Sequence, residues 1–408
     1  MPNHCGFICA ISGNAGFKYT YICRLILRMI AMKEIQMVDL RSQYEKIKPE
    51  IDEAIAEVLQ SSAFINGPAV KKFENELAAY VGCKQVVACA NGTDALQIAC
   101  MALGLKPGDE VITTNFTFVS TAEVLCLLGL KPVLTDIDAL TFNIDVQDIE
   151  KKITPKTKAI IPVHLYGQCA DMESIMQLAK QHNLFVIEDT AQAIGADFKF
   201  SNGSVKKAGA IGHIGTTSFF PSKNLGCYGD GGAIFTNDDA IAYELRSIVN
   251  HGQKVRYEYE MIGVNSRLDT IQAAILGEKL PHLDDYATAR NKAADYYDKA
   301  FAGIKQIKTP FRAANSTHVF HQYTLTLNGV DRDKLKETLA AQGIPAMIYY
   351  PKPLHAHPAY KDLNRKDSEF PVAVDLSKRV LSLPMHTELD EEQLEHITKS
   401  ILDFVNKL

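Results

Sequence analysis

Two short stretches hold residue types suited to a demanding reaction. In Ile187-Glu188-Asp189-Thr190-Ala191-Gln192 a carboxylate closes an apolar run, and in Ser218-Phe219-Phe220-Pro221-Ser222-Lys223-Asn224 a lysine sits in a turn, 34 positions after Asp189. A lysine can hold an aldehyde covalently, and a carboxylate can keep a pyridine nitrogen protonated so that the ring accepts electrons. Pyridoxal phosphate (PLP) chemistry needs those two groups, so the pair predicts a PLP enzyme. Taken singly, Asp189 would be a helix cap or turn residue and Lys223 a surface lysine. Asp189, however, follows apolar strand positions, and a carboxylate at that depth demands a charged or hydrogen-bonding partner. Around Lys223, Pro221, Gly226, Gly229, Gly231 and Gly232 build an irregular loop of the kind that brings backbone close to a ligand.

Other candidates are weaker alone. Asn91-Gly92-Thr93-Asp94 opens a helix directly after a strand, and a helix N-terminus accepts a phosphate. Thr93 or Asp94 would serve equally well as a plain N-cap. The Ser218 hydroxyl could bind the same phosphate or close a turn. Phe118 falls where a loop would cover the site, either stacked on a ring or buried in the core. Asn265 and Arg267 precede a helix, where one could cap it and the other be solvated.

The elements that must position these residues alternate. Strands are predicted over 85–90, 110–114, 131–136, 159–164 and 184–188, with helices over 93–104, 119–128 and 172–182. That alternation implies an α/β fold with a mostly parallel sheet covered on both faces. Ligands then bind at the carboxyl ends of the strands, where Asp189 falls. A helix over 268–279, interrupted by Pro281 and resumed over 282–302, reads as a connector into a smaller α+β unit. That unit is predicted to contain strands near 319–327 and 346–350 and helices over 333–342 and 391–405. The reading divides the chain into an extension (1–31), a large unit (32–285) and a small unit (286–408).

With 408 residues, 47% of them hydrophobic and 22% charged, the chain is long enough for two cored units. A net charge of -5 without a basic block argues against nucleic acid and against an anionic membrane surface. Nine scattered cysteines without CxxC or Cys/His spacing predict reduced thiols in the cytoplasm and no metal site. Within the extension, Arg24 and Arg28 interrupt the apolar run, which is far shorter than the roughly 20 residues that span a bilayer. A nicotinamide dehydrogenase would want GxGxxG at a strand-to-helix turn, and the glycines from 226 to 232 are spaced differently.

Five motifs together resemble the DegT/DnrJ/EryC1/StrS nucleotide-sugar aminotransferases from about residue 38 onward. They are Gly92-Thr93-Asp94-Ala95, Thr117-Phe118-Val119-Ser120-Thr121, Glu188-Asp189-Thr190-Ala191-Gln192, the Lys223 loop with Gly229-Asp230-Gly231-Gly232, and Asn265-Ser266-Arg267-Leu268-Asp269 with Gln272-Ala273-Ala274. The resemblance implies the aspartate-aminotransferase fold type (PLP fold type I) with a smaller C-terminal α+β domain, an obligatory homodimer and L-glutamate as the usual donor. It implies that Lys223 bonds the cofactor's aldehyde, Asp189 pairs with the pyridine nitrogen, Gln192 reaches the ring's phenolic oxygen and Phe118 stacks on the ring. It further implies that Gly92 and the amides of Thr93 and Asp94, with Ser218, hold the phosphate, which Asn265 reaches from the partner subunit. Members that dehydrate sugars carry histidine at the lysine position, so Lys223 favours transamination.

The stretch Met347-Ile348-Tyr349-Tyr350-Pro351-Lys352-Pro353-Leu354-His355 resembles members that aminate C3, among them those acting on UDP-2-acetamido-2-deoxy-3-oxo-glucuronate. That places Tyr349 and His355 against the substrate, with Arg267 as the cation for the sugar carboxylate. The alternatives are a dTDP-3-oxo-6-deoxyhexose as acceptor, or a non-catalytic regulator that keeps PLP as a ligand.

Overall fold

A computed structural model describes residues 33–408; the expected extension over 1–31 lies outside the described residues. Strands β1 (Gln85–Cys89), β2 (Glu110–Thr114), β3 (Lys131–Thr135), β4 (Thr157–Ile161) and β5 (Phe185–Asp189) fall close to their predicted spans. After the hairpin β6 (Asp197–Lys199) and β7 (Val205–Lys207), β8 (Ile214–Ser218) and β9 (Gly232–Thr236) complete a seven-stranded sheet of order β1-β9-β8-β5-β4-β2-β3.

The pairs among β8, β5, β4, β2 and β3 are parallel. β9 runs antiparallel to both β8 and β1, because the Lys223 loop returns the chain directly and leaves Ser218 opposite Gly232. Side chains alternate across the sheet. Val111, Ala159 and Ile187 pack with Leu96, Ile98 and Ala99 of helix Gly92–Ala102 on one face. Ile112, Ile160 and Val186 pack with Met172, Ile175 and Leu178 of helix Met172–His182 on the other. Both faces are therefore dry, and the ligand-accessible groups are left to the strand ends.

A short hairpin, β10 (Gln253–Val255) and β11 (Glu258–Tyr259), precedes helix Thr270–Lys279. The predicted break at Pro281 is one 3-10 turn, Leu280–His282, with the chain still right-handed helical at Leu280 and Leu283. Helix Leu283–Ala300 leads to β12 (Ile307–Lys308), β13 (Tyr323–Leu327) and β14 (Val380–Leu383), an antiparallel sheet. Its core joins Tyr297, Leu325, Leu335, Leu339, Leu383, Ile397 and Ile401, and it includes Ile35 from the start of the described chain.

Two expectations need correction. Residues 346–350 form no strand: Met347 makes a single bridge to Ser382. Pro345, Pro351 and Pro353 deny the segment a regular ladder, and the adjacent position belongs to β14, which is buried throughout. The predicted strand near 319 begins only at Tyr323, since 319–322 bond instead to Tyr166 and Gly167. Three helices over Leu40–Lys46, Lys48–Ser61 and Pro68–Val81 were not anticipated. Among the described residues no helix is long and apolar enough to cross a membrane.

Candidate active site

At the carboxyl ends of β5 and β8 lies a cavity of about 480 Å³ lined by Lys223, Asp189, Gln192, Ser218, Gly92, Thr93, Phe118 and Tyr349. That size suits a small cofactor with part of a substrate. Asp189 is the last residue of β5 and 5% exposed. Its Oδ2 accepts from Thr121 Oγ1 at 2.9 Å and its Oδ1 from the Ala191 N–H at 3.1 Å. These donors fix the carboxylate and leave lone pairs for a protonated ring nitrogen. Burial lowers the Lys223 pKa to about 8, and the charge of Asp189 opposes that fall. A lysine so placed is partly neutral near pH 8 and able to act as nucleophile or base.

The phosphate cradle differs in one respect from expectation. Asn91 is the N-cap, and its Oδ1 accepts the Asp94 N–H at 2.8 Å. The Asp94 amide is therefore engaged, while the N–H groups of Gly92 and Thr93, which line the cavity, have no intrahelical acceptor and would be free for an anion. A side chain on Gly92 would bring its Cβ to 2.7 Å from Ser218 Cβ, so glycine is what lets the helix N-terminus meet Ser218. Opposite the cradle, Phe118 is 56% exposed and lines the cavity, which decides against a core role. Gln192 accepts the Tyr166 N–H through Oε1 at 2.8 Å and donates through Nε2 to the Tyr350 hydroxyl at 2.9 Å.

Asn265, Arg267, Asp94 and His355 do not line this cavity. Asn265 is exposed and bridges Asn250, while Arg267 Nη1 donates to Asn250 Oδ1 at 3.1 Å and faces a separate 270 Å³ hollow beside Lys71 and Arg246. His355 is an interior strut. Its Nδ1 lies 2.8 Å from Asn115 Nδ2, its Nε2 lies 3.0 Å from Asp367 Oδ1, and its ring packs on Phe370. The structure thus removes His355 from the substrate-facing set.

Sequence reasoning missed His321 and Gln322, which also line the cavity. Their buried Nδ1 and Oε1 have no hydrogen-bond partner among the described residues. Such orphaned atoms suit a polar ligand. Nothing in their local pattern marks them, because they sit in the irregular lead into β13. Thr121 was legible as a hydroxyl just beyond Phe118. The cradle, the orphaned polar atoms, the carboxylate and the lysine together fit a phosphorylated pyridine.

A lysine, a buried carboxylate and a helix N-terminus around one cleft at the ends of parallel strands define a PLP-dependent enzyme of the aspartate-aminotransferase fold type. The chain belongs to the DegT/DnrJ/EryC1/StrS aminotransferase family, whose profile matches residues 45–402. It is 50% identical to the "Pleiotropic regulatory protein" of Geobacillus stearothermophilus, over 91% of this chain and 98% of that one. It is 47% identical to the UDP-2-acetamido-2-deoxy-3-oxo-D-glucuronate aminotransferase of Pseudomonas aeruginosa, over 90% and 99%. Among solved structures it resembles DesV of S. venezuelae with a TM-score of 0.88 and 37% identity, covering 92% of this chain and 100% of that chain. Further solved relatives carry the cofactor in pyridoxal and pyridoxamine forms. The protein is a transaminase that transfers an amino group to a keto-sugar.

Proposed function

We propose that the acceptor is C3 of UDP-2-acetamido-2-deoxy-3-oxo-glucuronate, that L-glutamate is the donor, and that the product serves surface polysaccharide assembly in the cytoplasm. The observation that carries the reading is the placement of Lys223, Asp189 and the Gly92–Ser218 cradle around one cavity. The Pseudomonas relative supports the choice of sugar. The name of the Geobacillus relative would fit a regulator, yet the aminotransferase family match and the named sugar aminotransferase at 47% identity support the enzyme.

When bound, the cofactor supplies an electron sink for the carbanion. Lys223 Nζ would take the proton from the donor's α-carbon and deliver it to the carbon that had carried the aldehyde, so that the nitrogen stays behind when the keto acid leaves. Asp189 holds the proton on the pyridine nitrogen, oriented by Thr121 and Ala191. Phe118 would cover one ring face, and Gly92, Thr93 and Ser218 would hold the phosphate.

The working form in this reading is a homodimer. Asn265 and Arg267 stand outside the cavity of their own chain, and in the dimer they complete the partner's site, Asn265 on the phosphate and Arg267 on the sugar carboxylate. The decisive measurement is the absorbance of the purified protein before and after L-glutamate, in wild type and Lys223→Ala. A visible band that glutamate bleaches only when Lys223 is present supports the reading. A protein that stays colourless with added PLP refutes it. For the sugar, Arg267→Ala should raise KM for the uronate far more than for a neutral 3-oxo sugar, and equal losses would rule out the assigned carboxylate contact.

A further inference from the structure

Behind the loop that carries Lys223 lies a cation that lines no part of the catalytic cavity. Lys279, in the last turn of helix Thr270–Lys279, is 1% exposed, and its Nζ donates to the Gly226 carbonyl at 2.6 Å. Its Nζ also stands 5.1 Å from the centre of the Tyr228 ring. Among the described residues it has no carboxylate as ion-pair partner. A buried ammonium without a carboxylate partner among the described residues is costly, and an apolar residue would fill the position at less expense. Burial lowers its pKa to about 8, with Cys227 acting weakly the other way.

What that costly group touches is informative. Gly226 stands three positions after Lys223, and a Cβ on it would meet the Pro221 carbonyl at 2.3 Å, so the two stretches of loop are in direct backbone contact. Pro221 lies inside the turn that the Lys223 N–H closes onto the Phe220 carbonyl at 2.8 Å. The same helix also holds the loop's far side, where Gln272 Oε1 accepts the Tyr228 N–H at 2.8 Å. A push or pull on the Gly226 carbonyl therefore reaches the lysine turn through packed backbone.

We propose that Lys279 is a positioning residue that anchors the lysine-bearing loop from behind through the Gly226 carbonyl and so sets where Lys223 Nζ stands. The inference rests on the reading of Lys223 as the group that bonds the cofactor.

The test uses full-length cofactor-loaded protein as wild type, Lys279→Met, Lys279→Leu and Lys223→Ala. Three properties are followed: the bleaching rate of the visible band with saturating L-glutamate, the pH midpoint of that band before glutamate, and the cofactor retained on dialysis. Lys279→Met should bleach about ten- to a hundredfold more slowly, at an unchanged half-saturating glutamate concentration. Its band should also titrate at a shifted pH, and its cofactor should leave faster. The thermal midpoint of its cofactor-free form should change little, since losing the bond to the Gly226 carbonyl is offset by replacing a buried charge with an apolar chain of similar size.

Wild-type bleaching rate and pH midpoint in Lys279→Met would overturn the proposal, as would a loss confined to thermal stability. If Lys279→Met does not fold, Lys279→Leu, which also lacks a donor, carries the same test, with slowed bleaching supporting the anchor and wild-type values refuting it. Lys223→Ala separates the two readings: a visible, glutamate-responsive band in that variant would remove the role of Lys223 itself.

Discussion

The cleft at the ends of β5 and β8 and the segment 263–269 are matched by the same family, yet they sit differently in the chain. Asp189, Lys223, Gln192, Ser218, Gly92 and Phe118 converge on one cavity. Asn265 and Arg267 lie at another surface, beside Asn250. The first set is placed by strand ends of one sheet, so its geometry is complete within a single chain. The second set is placed by a loop that leads away into helix Thr270–Lys279, outside that cavity. In the proposed dimer, chemistry and specificity would be built on different scaffolds.

The comparison is sharpest at the lysine. Lys223→Ala should lower kcat by about 10⁴-fold or more, since both the covalent anchor and the proton carrier go, as measured by amino transfer from L-glutamate. Asp189→Asn keeps the shape but cannot hold a proton on the ring nitrogen, and a kcat loss of about 10² to 10⁴ is expected; near-wild-type turnover would place the carboxylate outside the chemistry. Gly92→Ala drives a methyl toward Ser218, so cofactor Kd measured by dialysis should rise by about one to two orders of magnitude with a smaller change in kcat.

A fourth experiment addresses the other scaffold. Mixing Lys223→Ala with Arg267→Ala protein should recover uronate turnover that neither has alone if the two regions meet across a dimer, whereas no recovery would confine each region to its own chain. Smaller still is the effect of pH: the rate of the first half-reaction should rise with pH through about 8, because the neutral form of Lys223 is the base and its folded pKa lies below the ordinary lysine value. A rate that falls over that interval would contradict this assignment. The least catalytic effect belongs to His355→Ala, which strands the Asn115 amide and should cost about 1–3 kcal/mol of stability by thermal denaturation while leaving KM unchanged.

Which parts were legible in the sequence follows from the range of the interactions. Strand periodicity placed Asp189 at a strand end, and the glycine-rich run marked the Lys223 loop, because both signals lie within a few residues. The N-cap was misplaced by two or three positions, since Asn91, Thr93 and Asp94 all have side chains that can cap, and the choice depends on where β1 stops. His355 could not be read correctly from its neighbours: its partner Asn115 is 240 positions away. The segment around 346–350 carried β-forming tyrosines, yet the prolines around it and the competing strand β14 prevailed. Phe118 was left open between core and ring, and only its tertiary exposure argues against the core.

Ile35 has a consequence for how this chain is made. It belongs to a core otherwise drawn from residues 293–405, and Met37 accepts a hydrogen bond from the Met385 N–H at 3.2 Å. During synthesis the segment around Ile35 leaves the ribosome early and waits, its apolar side chain uncovered, until more than three hundred further residues have followed. The PLP-binding sheet can assemble in that interval, but the clasp between the first described residues and helix Glu391–Val405 closes only after that helix has been made.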